Sequence, residues 1–345
     1  MSEVRIARFN RDIQKNLFPI NDFYKKSIVD PASTAETIEI PQALAHQKAF
    51  IGDVQLDYNN PANNLTDANA LQVIKRVNTK KIYDNKNFVL SPTAVDKNNQ
   101  DGELSYNKMG VIREEYANEF NTLTANYAAV QWAPTSVNRV FLTTGTQARE
   151  NGVVNGYVGN VKRLTKEDLI NVRKEFMKQN LMNGAGVANV KIWALITPEQ
   201  WEDIMLIPEL VDFEKTGNET MLKKGVIGKW LNIWFVTPRY NEDAGGNIFY
   251  DVADPQNPTK LEYTTVARPD GGTSEVLQPT ANTVGGALFW HEKHVRRSEG
   301  RVNTYYDPNN VRYQADLISS NLRFGATISR LDEKGVIALI DAPAV

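Results

Sequence analysis

Cysteine is missing from all 345 positions, and with it go disulfides, thiolate nucleophiles and thiolate metal sites. Rigidity must come from packing and assembly, and a reducing compartment is the fitting environment. A charge of one sign is also missing. Lys plus Arg number 39 against 41 for Asp plus Glu, a net charge of -2, so nothing drives the whole chain toward phosphate or anionic lipid. That excludes a dedicated nucleic-acid binder. No stretch approaches the roughly 20 apolar residues of a membrane span, and Met1 to Asn10 alternates charged and apolar residues without a signal-peptide core. The expected origin is the cytoplasm, with no membrane partner.

Recognisable catalytic signatures are absent as well. There is no G-x-S-x-G elbow and no Walker lysine motif. Of the three histidines, His291 and His294 flank Glu292 in a way that invites a zinc-protease reading. The zinc motif needs histidines four apart on one helical face, whereas these are three apart in an expected strand, on opposite faces. Gly184, Ala185 and Gly186 follow a helix and precede a strand, the reverse of the order that aims amides at phosphate, and read as a helix end. The acid pairs Glu114 with Glu115 and Asp332 with Glu333 read as solvated. The sequence therefore predicts no enzyme, no catalytic residues, no cofactor and no metal. The six Trp and thirteen Tyr leave a carbohydrate-active enzyme as a rival. One local charge bias stands out: Lys293, Arg296, Arg297 and Arg301 read either as inter-subunit salt links or as sequence-blind contact with DNA backbone.

What is present is a 41% hydrophobic, 23% charged chain, ample for more than one packed region. Ile6, Phe9, Ile13 and Leu17 recur at three and four, predicting a short amphipathic helix over 2–17 that docks on protein. From Ile38 to Asp101 brief β-like runs, Ala49 to Tyr58 and Lys81 to Leu90, sit among many asparagines, predicting an extended two-stranded excursion that gains order by lying on something else. Met109, Ile112, Tyr116, Phe120, Leu123, Tyr127 and Val130 predict a long helix ending at Trp132 and Pro134. Thr165 with Asp168 announces a capping box, Leu164 with Leu169 a hydrophobic staple, and Leu169, Val172 and Phe176 a buried stripe. That helix is expected to end at Asn183 and Gly184. A buried strand over 190–196 then meets Thr197, Pro198 and Gln200, a helix start. Further on, strands are expected over 230–237, 248–252, 261–267 and 287–295. The end reads as a hairpin, with alternating 322–329, a turn at 332–335 and an apolar return over 335–340.

Three stretches carry a resemblance: LTKEDLINVRKEFMKQN with VKIWALITPEQWEDIM, from Leu164 to Met205; LKKGVIGKWLNIWFVTPRY, from Leu222 to Tyr240; and GALFWHEKHV with LRFGATISRLDEKGVIALI, from Gly286 to Ile340. Taken in order they resemble the tailed-phage major capsid proteins of the Hong Kong ninety-seven fold, especially those of large Bacteroidetes-infecting (crAss-like) phages. The resemblance implies an α+β chain made of an N-terminal arm (1–35), an extended β loop (36–102), a peripheral domain with its spine helix at 164–180 (103–209), an axial domain (210–285) and return strands (286–345). It implies pentamers and hexamers of an icosahedral virion shell around double-stranded DNA, assembled in the host cytoplasm. The partners would be further copies, a separate scaffolding protein, the portal and head auxiliary proteins. Phe9, Ile13 and Leu17 become expected inter-subunit contacts; Lys293, Arg296 and Arg297 are the expected DNA-backbone contacts. Lys80, Lys81 and Lys86 are imaginable partners in a Lys to Asn cross-link. An encapsulin-like compartment of the same fold is the other alternative.

Overall fold

The computed structural model describes residues 23–30, 36–42, 80–96, 108–153, 155–181, 191–207, 229–230, 233–236, 248–268 and 271–344. The expected arm helix with Phe9, Ile13 and Leu17, the run Ala49 to Tyr58, and Gly184 to Gly186 lie outside these residues.

In chain order, a turn of 3-10 helix at Phe23–Lys25 leads to β1 (Ile28–Asp30), β2 (Thr37–Pro41), β3 (Lys80–Asp84) and β4 (Lys86–Asp96). The helix α1 (Lys108–Trp132) follows, then β5 (Val140–Leu142), β6 (Ala148–Glu150) and β7 (Asn160–Lys162). Helix α2 (Lys166–Lys178), β8 (Ile192–Leu195) and helix α3 (Pro198–Met205) come next. After them run β9 (Lys229–Trp230), β10 (Ile233–Val236), β11 (Ile248–Asp251), β12 (Thr259–Lys260), β13 (Thr264–Ala267) and β14 (Thr273–Val276). The last strands are β15 (Thr283–His291), β16 (Val295–Glu299), β17 (Asn303–Asn310), β18 (Ala315–Ile328) and β19 (Val336–Ile340).

Two sheets organise the molecule. A five-stranded sheet runs β1-β16-β18-β17, with β4 on the other side of β18. An eight-stranded sheet is built around β15, flanked by β11, β8 and β19, with β5 beyond β19. The α+β class holds. The 25-residue α1, about 37 Å long at 1.5 Å per residue, lies along β18, where Ile112 packs on Ile318. Phe120, Tyr127 and Val130 are buried, as the spacing of three and four requires. Helix α2 covers one face of the eight-stranded sheet with Leu169, Val172 and Phe176, all at 0% exposure, each worth roughly 1.5–3 kcal/mol by burial.

Both predicted helix starts are present. Thr165 Oγ1 accepts from the Asp168 amide at 3.3 Å while Asp168 Oδ2 accepts from the Thr165 amide at 2.9 Å, so two orphan donors are satisfied reciprocally. Thr197 Oγ1 accepts from the Gln200 amide at 3.1 Å, with Pro198 in the first turn. The end of α2 differs from expectation. It stops at Lys178, and Asn180 takes the left-handed conformation at φ 57. Asparagine tolerates that region, so the helix terminates before Asn183 and Gly184.

The expected terminal hairpin does not form. β18 pairs with β16, β17 and β4 in one sheet, whereas β19 pairs with β15 and β5 in the other. The residue pattern carries the reason: β19 is buried at every position, which demands cover on both faces and suits the middle of the large sheet. The expected single strand over 287–295 likewise divides, β15 belonging to one sheet and β16 to the other. Beyond β15 the chain therefore crosses between sheets twice. The large sheet draws its strands from 140–142, 192–195, 229–230, 233–236, 248–251, 259–260, 283–291 and 336–340. The helix at 166–178, assigned by resemblance to the spine, packs on the large sheet; the long helix on the five-stranded sheet is α1.

The two sheets share a core. Trp132 at the end of α1 and Trp290 of β15 lie 5.7 Å apart between ring centroids, and Phe23 meets both edge-on at 6.3 and 6.0 Å. Trp132 Nε1 donates to Arg296 O at 3.1 Å and Trp290 Nε1 to Lys26 O at 2.9 Å, so the large rings bury without losing their polar handles.

Candidate assembly surfaces

The excursion expected over Ile38 to Asp101 is rooted where β2 and β3 pair antiparallel, Ile38 opposite Tyr83 and Ile40 opposite Lys81. Ile38, Ile40 and Tyr83 form their own small buried cluster. The root is fixed by a polar relay: Tyr83 Oη donates to Asp30 Oδ2 at 2.8 Å, and Arg296 Nη1 donates to Asp30 Oδ1 at 2.6 Å. Gly325 of β18 lets the root lie close, since a Cβ there would stand 2.8 Å from Asp84 O. Past Asp84 the chain does not remain an excursion, because β4 joins the five-stranded sheet through pairs from Lys86–Phe324 to Asp96–Ala315.

That relay changes the reading of the basic group. Arg297 is 8% exposed and its Nη1 donates to Tyr24 O at 3.0 Å and Ser27 Oγ at 2.9 Å. Arg296 is committed to Asp30. Both guanidiniums tie the entering segment 23–30 onto β16, Arg297 buried and Arg296 keeping 30% of its side chain exposed. Lys293 is exposed.

The histidines also depart from expectation. β15 ends at His291 and a turn carries the chain to His294 and β16, so the two imidazoles meet instead of pointing apart. Their Nδ1 atoms lie 3.0 Å apart and the rings stand edge to face at 4.7 Å. The Lys293 amide donates to His291 Nδ1 at 3.1 Å, which makes that nitrogen an acceptor, so His294 Nδ1 carries the proton and donates to it. Burial pulls both rings below the ordinary imidazole value, His294 to about 4, with His291, Arg330 and Lys334 adding repulsion. The second sheet crossing stacks on the first: the His291 amide donates to Gly335 O at 2.8 Å and the Ser329 amide to His294 O at 2.7 Å. Glu333, expected to be merely solvated, accepts from the amides of Thr135 and Ser136 at 3.0 and 2.8 Å.

Two further polar groups gave no sequence signal. Arg149 lies between Asp203 and Asp341, with Nε 3.0 Å from Asp203 Oδ2 and Nη2 2.7 Å from Asp341 Oδ2. Gln200 Nε2 donates to Asp341 Oδ1 at 2.8 Å. Burial raises the Asp341 carboxyl to about 6 against the pull of Arg149. The partners are 149, 203 and 341, too far apart in sequence for spacing to pair them. Between the excursion root and the end of α1 there is also a polar cavity of about 460 Å³ lined by Lys81, Lys260, Glu262, Glu275 and Glu333. Burial lowers the amines of Lys81 and Lys260. Among the described residues no group of three or more His, Asp or Glu is placed to hold a metal, and no described helix is long and apolar enough to cross a membrane.

The outward surfaces are therefore the informative ones. β17 is exposed almost throughout, as one edge of the five-stranded sheet, and presents Tyr305 and Tyr306. With β18 and β4 it forms a ribbon whose tip carries Val311 and Tyr313. Unpaired strand edges and exposed aromatics are costly to leave in water and mark contact surfaces. No protein-family model matches the sequence and no curated protein matches it. Solved structures do. The chain is similar to a chain of Mycobacterium phage Che8 at 12% identity, covering 98% of each, with TM-score 0.59. It is similar to one in the capsid of cyanophage P-SCSP1u at 10% identity, over 99% of this chain and 94% of that one, with TM-score 0.59. A subunit in the capsid asymmetric unit of cyanophage Pam1 matches at 10% identity over 100% of this chain and 98% of that one, with TM-score 0.57.

The fold is that of phage capsid subunits. The likeness spans both sheets, α1 and the root of the excursion, so the capsid fold accounts for the whole chain and not for one region of it. At this identity the backbone architecture is shared while the side chains at the surfaces above are this chain's own.

Proposed function

We propose that this chain is a major capsid protein whose copies form the pentamers and hexamers of an icosahedral phage head around double-stranded DNA. The observation that carries the reading is the end-to-end likeness to capsid subunits, joined to a sheet edge exposed in the single chain. In this reading α1 with the five-stranded sheet is the peripheral domain and the eight-stranded sheet with α2 and α3 is the axial domain. The boundaries thus follow the sheets and not the linear segments. Lys293 and Arg301 are the exposed members of the basic group for contact with packaged DNA. Scaffolding, portal and head auxiliary proteins are the expected further partners, assembly belongs to the host cytoplasm, and the chain performs no chemistry.

Assembly by burial explains how such a subunit works. Each element laid on a neighbour removes apolar area worth about 25 cal/mol per Å², and closed symmetry repeats every contact. The arm residues Phe9 and Ile13 are the test. Phe9→Asp with Ile13→Asp should leave folded subunits, by circular dichroism, that sediment as small species where the wild type gives closed particles. Normal particles from the double variant would remove the arm from the mechanism.

A further inference from the structure

One face of the large sheet carries a row of three indoles on neighbouring strands. Trp290 of β15 stands opposite Trp193 of β8, and Trp193 opposite Trp234 of β10. Cross-strand partners share a face, and burial falls along the row: Trp290 is sealed in the core, whereas Trp193 and Trp234 are half-buried. The outer two rings lie 5.9 Å apart between centroids. The row sits where β15 ends and β8 and β10 begin, and lysines gather at that end. Lys26 Nζ stands 5.2 Å from the Trp193 ring centroid and Lys191 Nζ 5.7 Å from that of Trp234. Lys293 follows Glu292, whose Oε2 accepts from Trp193 Nε1 at 3.4 Å. Lys26, Lys191 and Lys293 are all exposed, and none of them is ion-paired among the described residues. Three amines against one carboxylate, itself engaged by an indole, make a basic patch on a chain whose total charge is -2.

We propose that this patch is a contact site for the sugar–phosphate backbone of DNA, with Lys26, Lys191 and Lys293 meeting phosphates and Trp193 and Trp234 positioning two of the three. This rests on the shell reading and names where its packaged DNA touches the chain. The amines are strung along an open row of rings, a layout that suits an extended polyanion, with one charge per ~1.7 Å of duplex axis, better than one small anion. A surface lysine ordinarily loses side-chain freedom when it grips a ligand. Here cation–π attraction already holds two ammoniums over indole faces, so part of that ordering precedes binding. Contacts of this kind read backbone and not base sequence, as a shell that takes any genome requires.

The test uses the purified full chain and a short blunt DNA duplex, with binding followed by anisotropy of a dye on the DNA across a salt series. Log affinity against log salt loses about 0.9 of slope for each phosphate contact removed. Lys26→Gln with Lys191→Gln and Lys293→Gln should therefore flatten the slope by about 2–3 and weaken binding at least tenfold at low salt. The same charge loss at Lys80, Lys174 and Lys178, exposed elsewhere, should cost less than twofold. Trp234→Leu keeps all three amines, so the slope should hold while affinity falls about two- to fivefold, and Trp234→Phe should restore most of it. Circular dichroism checks that each variant is folded. Unchanged binding in the first triple variant, or an equal loss in the second, overturns the proposal. So does acrylamide quenching of the indoles that drops with protein concentration and ignores DNA, which would make the row an interface between copies. Electron microscopy separates this site from the shell reading. Closed particles from a triple variant that binds DNA as the wild type does strike the patch and leave the shell; lysine-dependent DNA binding by subunits that never close keeps the patch and sinks the shell.

Discussion

Acid should loosen the joint between the two sheets, and the histidine pair sets where. In the neutral joint His294 Nδ1–H donates to His291 Nδ1, which also accepts from the Lys293 amide. A proton on His291 Nδ1 would leave three donors facing one another. A proton on His294 would add charge beside Arg330 and Lys334, offset only by Asp332; His291 faces Glu292 and Lys293. The folded value for His294 is about 4 against an ordinary 6.5, so between those pH values the unfolded chain binds the proton more readily. The joint's stability is thus fully present above about 6.5 and falls with pH through that window. At ~1.4 kcal/mol per pH unit the ceiling is roughly 3 kcal/mol, and partial exposure of the ring reduces it to about 1–2 kcal/mol. Asp341 acts oppositely in the same window: its folded carboxyl sits near 6, so it favours the folded state as pH falls. The wild-type profile is therefore flattened, and the informative quantity is the difference from His294→Asn, whose amide can replace the Nδ1–H donor. Urea unfolding at pH 7 and pH 4.5 should show wild type losing about 1–2 kcal/mol relative to the variant. With three histidines in the chain, NMR titration can follow each ring. Parallel unfolding profiles, or both joint imidazoles titrating at 6.5 or above, would refute the reasoning.

Other consequences follow from the same geometry. Arg149→Met leaves Asp341 buried without its cation and Asp203 with Arg163 at 3.6 Å, and should cost about 3–5 kcal/mol at pH 7; the loss should shrink at pH 5 as Asp341 takes a proton, measured by urea unfolding at both pH values. Gly335→Ala should cost about 2–4 kcal/mol in the same assay, because Gly335 has φ +92 and its Cβ would lie 2.4 Å from His294 Cγ. Arg297→Ala, releasing Tyr24 O and Ser27, should destabilise by about 2–3 kcal/mol while leaving retention on a DNA-phosphate column unchanged.

What the sequence disclosed was local. Period-three-and-four spacing found α1, and Thr165, Asp168, Thr197 and Pro198 marked helix starts because capping is decided within four residues. The residues of β19 and the second half of β18, from Leu322, also read as strands in the sequence, but their partners do not. A hairpin is the default for two strands joined by a short turn, and only the all-buried pattern of β19 hints at a central position in a different sheet. The same crossing brought His291 and His294 together where strand alternation had set them apart. Arg149, Asp203 and Asp341 meet through tertiary structure alone. Arg296 and Arg297 looked like a surface patch because their partners Asp30, Tyr24 and Ser27 lie roughly 270 positions away. The sequence matches no family model and no curated protein while the fold matches phage capsid subunits, because one backbone frame can be built from many side-chain sets that keep its cores apolar.

The shell claim is tested most directly by imaging the purified, concentrated protein, alone and co-expressed with the neighbouring head genes of its own genome. Closed particles of uniform radius, with five-fold and six-fold clusters of this chain, are the expected result. A compact monomer that forms no curved multimer at any concentration, salt or scaffold would contradict it.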